Sequence, residues 1–294
     1  MPSTGFYGLT AAALTLAGAA AVLLYLGVAA VGWNELGRES AAQRRFGLAS
    51  ALMPLALAGH ALVLGDDVFG LGGLRFGFAH ALSATLLTTG ILLWIEGLFV
   101  PLRGLYWLIA PLAAATVLLP GMFPGDSLAA EGSSLALKLH LTVAILAYSF
   151  LTVAVLNALL MALVDHYLHQ PAAAPGRGLS RLLGRLPPLL ALESLLFRQI
   201  AVGFVLLSGT LVSGLVFSEE LFGRPLRFDH TSAHKIVFAL LAWVVFGGLL
   251  AGRMVFGWRG RTALRWTFTG FTMLMLAYIG SRFVLEVILR RTFV

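Results

Sequence analysis

The chain has 294 residues, 59% hydrophobic and 11% charged, with a mean hydropathy of +0.92. A soluble domain carries roughly 25% charged residues, so the repeated apolar runs of about 20 residues make this an integral membrane protein whose first partner is the lipid bilayer. The net charge of +7 is spread over span ends, which argues against nucleic acid as a partner. The absence of cysteine excludes disulfides, thiolate-bound zinc, iron–sulfur clusters and thiol redox catalysis by the chain itself.

The predicted fold is all-α, one integral membrane domain over residues 1–294, a polytopic bundle of about eight spans. In chain order the spans fall near 6–31, 47–64, 77–99, 102–119, 137–164, 199–218, 234–252 and 265–289. The segment MPSTGFYGLT has no Lys or Arg ahead of its apolar run, unlike the basic start of a secretory signal, so the first run reads as a retained span. Between spans five and six, residues 165–196 form a cytoplasmic linker. Its QPAAAPGR stretch is flexible, and 178–196, with Arg181 and Arg185 among leucines, reads as an interfacial helix broken at Pro187–Pro188. The small residues of GFVLLSGTLVSG in span six predict close helix packing.

Basic residues set the orientation. With the loop after span one in the cytoplasm, twelve of the twenty Lys and Arg residues lie on the cytoplasmic side, including Arg44–Arg45, Arg181, Arg185 and the run from Arg253 to Arg265. Seven lie opposite, as the positive-inside rule expects, with the Arg290–Arg291 pair as the main exception. Both termini then face the outer side, which is the periplasmic side in a bacterial inner membrane.

This orientation places five of the seven histidines, His60, His80, His140, His230 and His234, toward the outer end. Imidazole is costly in lipid and is a leading ligand for haem iron and transition metals. His60 lies within span two, where a structural bond to a neighbouring helix is as good a reading as ligation. His140 opens span five and His80 opens span three. His230 and His234, four apart beside Asp229, share a helix face that could hold a divalent cation, or form a solvated loop. His166 and His169 flank a span end on the cytoplasmic side. Arg282 and Glu286, four apart in span eight, read as an internal ion pair, with contact to a solute as the functional alternative. There is no phosphate loop, Ser/His/Asp arrangement or dinucleotide fingerprint, so nothing points to an enzyme.

The runs LPPLLALESLLFRQIAVGFVLLSGTLVSGLVF, HKIVFALLAWVVFGGLLAGR and GWRGRTALRWTFTGFTMLMLAYIGSRFV resemble the cytochrome c assembly family of CcsA and CcmC type, in its short YpjD- and HemX-like branch. The resemblance is strongest over 137–290. It implies a haem-binding inner-membrane protein of cytochrome c biogenesis, handling haem at the outer face beside other cytochrome c assembly proteins. His140 matches the outer histidine that opens the corresponding span, His60 looks like the early transmembrane one, and His234–Lys235 resembles an HK dipeptide of the short branch. The implied ligands of a b-type haem iron are His140 and His60, with His234 and His80 as alternates. The chain departs from the CcsA type in three places. It reads SEELFGRPLRFDHTSAHK where that type has a tryptophan-rich WGxxWxWD segment, Ala251 stands where a later transmembrane histidine is expected, and no histidine follows span eight. These departures argue against direct haem delivery to an apocytochrome by the familiar route. The rival readings are a transporter or permease for haem or a divalent cation, and a non-catalytic membrane partner protein.

Overall fold

Leu-, Ala- and Val-rich runs bury their own backbone polar groups in helical hydrogen bonds, the solution that lipid demands of a spanning segment. The computed structural model describes residues 9–36, 47–69, 75–99, 105–127, 135–168, 189–216 and 230–277. Among these, eight helices run in chain order: α1 (Ala11–Leu36), α2 (Leu48–Phe69), α3 (Phe78–Phe99), α4 (Tyr106–Met122), α5 (Leu135–Leu168), α6 (Leu189–Val216), α7 (His230–Phe256) and α8 (Arg261–Met275). The all-α expectation holds. Two two-residue strands, β1 (Arg75–Phe76) and β2 (Asp126–Ser127), pair antiparallel with Phe76 opposite Asp126.

Among the described residues, six helices are long and apolar enough to cross a membrane: α1, α2, α3, α5, α6 and α7. Of the eight expected spans, these six correspond to full-length apolar helices, a seventh to the shorter helix α4, and the eighth to α8, which is described in part. α4 has 17 residues and spans only about 26 Å at 1.5 Å per residue, less than the ~30 Å hydrocarbon core. α8 is described to Ala277, and the rest of the expected span 265–289, with Arg282 and Glu286, lies outside the described residues. The linker over 169–188 lies outside them too, but α6 is already helical at Leu189. Residues 189–196 are continuous with span six in one helix. Pro187–Pro188 directly before that start suits a helix beginning, where a missing N–H costs nothing.

The helices pack as two groups. α1 lies against α2 and α4, and α3 closes the first group against α2 and α4; α5 pairs most extensively with α6, and α7 and α8 complete the second. α3 against α5 joins the groups. Span six does pack closely, as its small residues predicted: a Cβ at Gly203 would stand 2.7 Å from a Leu151 side-chain carbon. α7 turns into α8 over four residues whose glycines, Gly257 and Gly260, have φ of +66° and +53°, a left-handed geometry that side chains resist.

One proline is handled by a neighbour. Pro54 inside α2 has no N–H to give the Ser50 carbonyl one turn back. The Trp94 indole N–H of α3 donates to that carbonyl instead, at 2.9 Å. Trp94→Phe should therefore cost about 1–3 kcal/mol, the penalty for an unsatisfied buried acceptor, read as a lower thermal midpoint in detergent; a midpoint equal to wild type would show that the carbonyl finds another donor.

Candidate functional site

The C-terminal end of α2 and the N-terminal ends of α3, α5 and α7 meet at one end of the bundle, where β1 packs against α2 and α3. His60, His80 and His140 belong to these segments, so the structure brings to one end what the sequence predicted there. His230 and His234 lie in the first helical turns of α7, and their side chains are outside the described part, as is Asp229.

His60 is buried in the first helix group. Its Nδ1 shares a hydrogen bond with the Tyr25 hydroxyl at 3.2 Å and its Nε2 shares one with the Ser83 hydroxyl at 2.8 Å. The Tyr25 ring meets the imidazole edge-on, with centroids 5.8 Å apart. Either tautomer uses both nitrogens, so an iron could take one only by displacing a hydroxyl. The arrangement ties α1, α2 and α3 together through one imidazole.

His80 is also fully buried, and neither ring nitrogen makes a hydrogen bond among the described residues. Its Nε2 stands 3.0 Å from Asp67 Oδ2 at the end of α2, close in distance but off the line of an N–H bond. The ring lies beside Phe76, centroids 6.4 Å apart.

His140 is half-buried on the first turns of α5. Its Nδ1 and the Ser213 Oγ of α6 are 2.8 Å apart, and Ser213 Oγ donates its own proton to the Thr210 carbonyl at 3.0 Å. Where the serine spends its proton on that carbonyl, the imidazole donates through Nδ1–H and the lone pair sits on Nε2, which has no hydrogen-bond partner among the described residues. A histidine fixed through one nitrogen and open at the other is the form in which imidazole binds metal centres.

His140 lines a cavity of about 760 Å³, counting its open mouth. Phe76 of β1, Ala81 and Thr85 of α3, Leu141, Ala144, Ile145 and Tyr148 of α5, Leu207 and Leu211 of α6, Ala239 of α7 and Leu274 of α8 make up most of the wall, so the cavity sits where the two helix groups join. The Tyr148 hydroxyl is spent on the Leu274 carbonyl at 2.8 Å, beside a π-helical turn at Leu276–Ala277. Such turns free carbonyls and often mark functional sites. Lys235 of α7 also reaches this wall. His60 and His80 do not line the cavity, although His80 directly precedes Ala81 and touches Phe76, which do. Among the described residues, no group of three or more His, Asp or Glu is placed to hold a bare metal ion.

Several of these residues escaped the sequence analysis. Ser213 is one small polar residue among several in span six and carries no sequence signal of its own. Tyr25 and Ser83 are equally silent. Asp66 and Asp67 did carry one, as carboxylates closing an apolar run in LGDDVF.

An all-helical integral membrane protein with an apolar, histidine-bearing cavity at one end is the class that fold and site define. Residues 49–289 match the cytochrome C assembly protein family, and the chain belongs to that family. It is 29% identical over 256 residues to the inner membrane protein YpjD of Escherichia coli K12, covering 83% of this chain and 88% of that one. An uncharacterized 28.8 kDa protein of Azospirillum brasilense is 28% identical over 190 residues, 62% of this chain and 66% of its own. The cytochrome c biogenesis protein CcsA of Prochlorococcus marinus is 34% identical over 93 residues, 32% of this chain and 29% of its own. No solved structure matches the chain. Like its YpjD relative, the chain is a multi-pass inner-membrane protein.

Proposed function

We propose that this protein binds haem at the outer face of the inner membrane, in the cavity between the two helix groups, and handles it for cytochrome c assembly alongside other proteins of that process. The observation that carries the reading is His140. Its Nδ1 is bonded to Ser213, its Nε2 has no partner among the described residues, and it stands in an apolar wall with an open mouth.

The residues present suit haem as cargo. Haem offers an iron that accepts an imidazole lone pair and an apolar ring that prefers this lining to water. His140 is the proposed ligand, with the haem held non-covalently, as in a b-type centre. A second ligand from His80 would break no hydrogen bond, whereas one from His60 would break one of two; His234 is the remaining alternate. The wall has no carboxylate among its described residues, which speaks against carriage of a hydrated divalent cation. No chemical step is assigned to the chain.

An absorption spectrum of protein purified from haem-replete cells tests the reading. A Soret band with stoichiometric haem is expected, and its absence, both as purified and after hemin addition, refutes the proposal. Ser213→Ala should weaken hemin binding roughly tenfold, the usual cost of losing the group that orients a ligating histidine; an unchanged affinity would remove Ser213 from the account.

A further inference from the structure

Glu96 lies in the last turns of α3, at the end of the bundle away from the cavity, and has no part in the haem binding proposed above. A carboxyl inside an apolar span is costly, faces the bundle interior or water, and marks an ion or proton path by default. Glu96 is half-buried, and its Oε2 accepts the Gln199 Nε2–H of α6 at 2.8 Å. The exposed Arg198 beside Gln199 is a cation that acts on it through space. From α4 the Tyr106 hydroxyl stands against the backbone at Gly97. α2 from Leu48 to Gly59 and α5 from Ser149 to Val164 carry no titratable side chain.

Thr85, Thr89 and Glu96 stand at i, i+4 and i+11, which sets all three within about 40° of one line along α3. The line begins at the cavity, where Thr85 is part of the wall. It ends beside Gln199, about 16.5 Å further on at 1.5 Å per residue. This is the seam between the two helix groups, since Ser149 Oγ of α5 lies 3.2 Å from the Thr85 carbonyl.

Polar atoms along the seam lack partners. Thr152, Ser208, Thr210 and Thr267 each donate to the carbonyl four residues back, the usual resting place of a hydroxyl in an apolar helix. The buried Thr89 hydroxyl makes no such bond. Gln199 Oε1, on a side chain buried as deeply, has no partner among the described residues either. Buried polar atoms left over by the protein are commonly met by ordered water.

We infer that water enters this seam and makes it a proton route between Glu96 and the cavity. A proton from water at the far end is taken up by a Glu96 carboxylate oxygen. It passes along water held by Gln199 Oε1 and Thr89 Oγ1, each O–H bond in the file breaking as the next one forms, and leaves to water in the cavity at Thr85. A threonine hydroxyl suits this file because it both donates and accepts. The Gln199 amide holds the carboxyl and the water in place. No electron moves, and one proton leaves for each that enters.

The test uses the full-length protein, free of haem, in liposomes that carry a pH-sensitive dye inside and potassium with valinomycin to balance charge. After a pH step, wild-type vesicles should lose the gradient faster than protein-free ones. Glu96→Gln should abolish the excess rate, Thr89→Val should reduce it strongly, and Thr89→Ser should keep it. Thr89→Val exchanges an unpartnered hydroxyl for a methyl of the same shape, so its thermal midpoint should not fall, and it decides the matter if Glu96→Gln fails to fold. A wild-type rate equal to that of protein-free vesicles overturns the route, and so does a wild-type rate in folded Glu96→Gln or Thr89→Val. Haem binding is read separately, by hemin titration, and stands or fails independently of these rates.

Discussion

His140→Ala should lower hemin affinity roughly a hundredfold or more and shift the Soret maximum, because it removes the iron ligand itself and not merely a group that orients one. His60→Ala should behave differently. It strips the Tyr25 and Ser83 hydroxyls of their shared partner in a buried site, so its effect should fall on stability, about 1–3 kcal/mol for each group left unsatisfied. Any haem bound should keep the wild-type spectrum. The pair is checked by hemin titration and thermal melting of both variants. A spectrum that changes with His60→Ala and not with His140→Ala would reverse the assignment and make His60 the ligand, at the cost of one of its two hydrogen bonds.

The second large effect lies at the opposite end of the bundle. Glu193, buried on α6, receives Arg253 Nη1 of α7 at 2.6 Å, and the same guanidine nitrogen reaches the Trp258 carbonyl at 3.3 Å. The guanidinium also lies 4.6 Å over the Phe197 ring, and Trp258 packs against Trp266 with centroids 4.9 Å apart. This lock joins α6, α7 and the turn into α8. Arg253→Ala leaves Glu193 as an uncompensated buried charge and should destabilise the protein by about 3 kcal/mol, since breaking one side of such a pair costs more than the pair contributes. Arg259, 3.6 Å from the same carboxylate oxygen but 63% exposed, is too solvated to replace it. The double variant Glu193→Gln with Arg253→Met should recover most of the loss, because no charge then remains buried. Thermal melts of the two variants decide the matter; equal destabilisation in both would show that packing, and not the stranded charge, governs this end.

The helices were legible because lipid imposes one rule on long apolar runs, and α2, α3, α5 and α7 fall within a few residues of their expected places. α6 begins at Leu189, earlier than the expected start at 199, and carries Glu193 in its early turns. Glu193 is tolerated there because Arg253 arrives from a helix 60 positions away, a pairing that no local pattern encodes. The sequence gathered the histidines at one end, and the family resemblance put His140 and His60 ahead of His234 and His80, but neither could show what each ring nitrogen touches. His60, which the sequence left equally as a ligand or a structural histidine, has Tyr25 and Ser83 on its two nitrogens. His140, already matched to the family's outer histidine, has Ser213, 73 positions along the chain, on its Nδ1.

The most direct test of the central claim is a cryo-EM structure of the hemin-loaded protein. The account predicts planar density in the cavity walled by α3, α5, α6 and α7, with its iron joined to His140 Nε2. Density for haem elsewhere, or lipid in that cavity with His140 unligated, would contradict it.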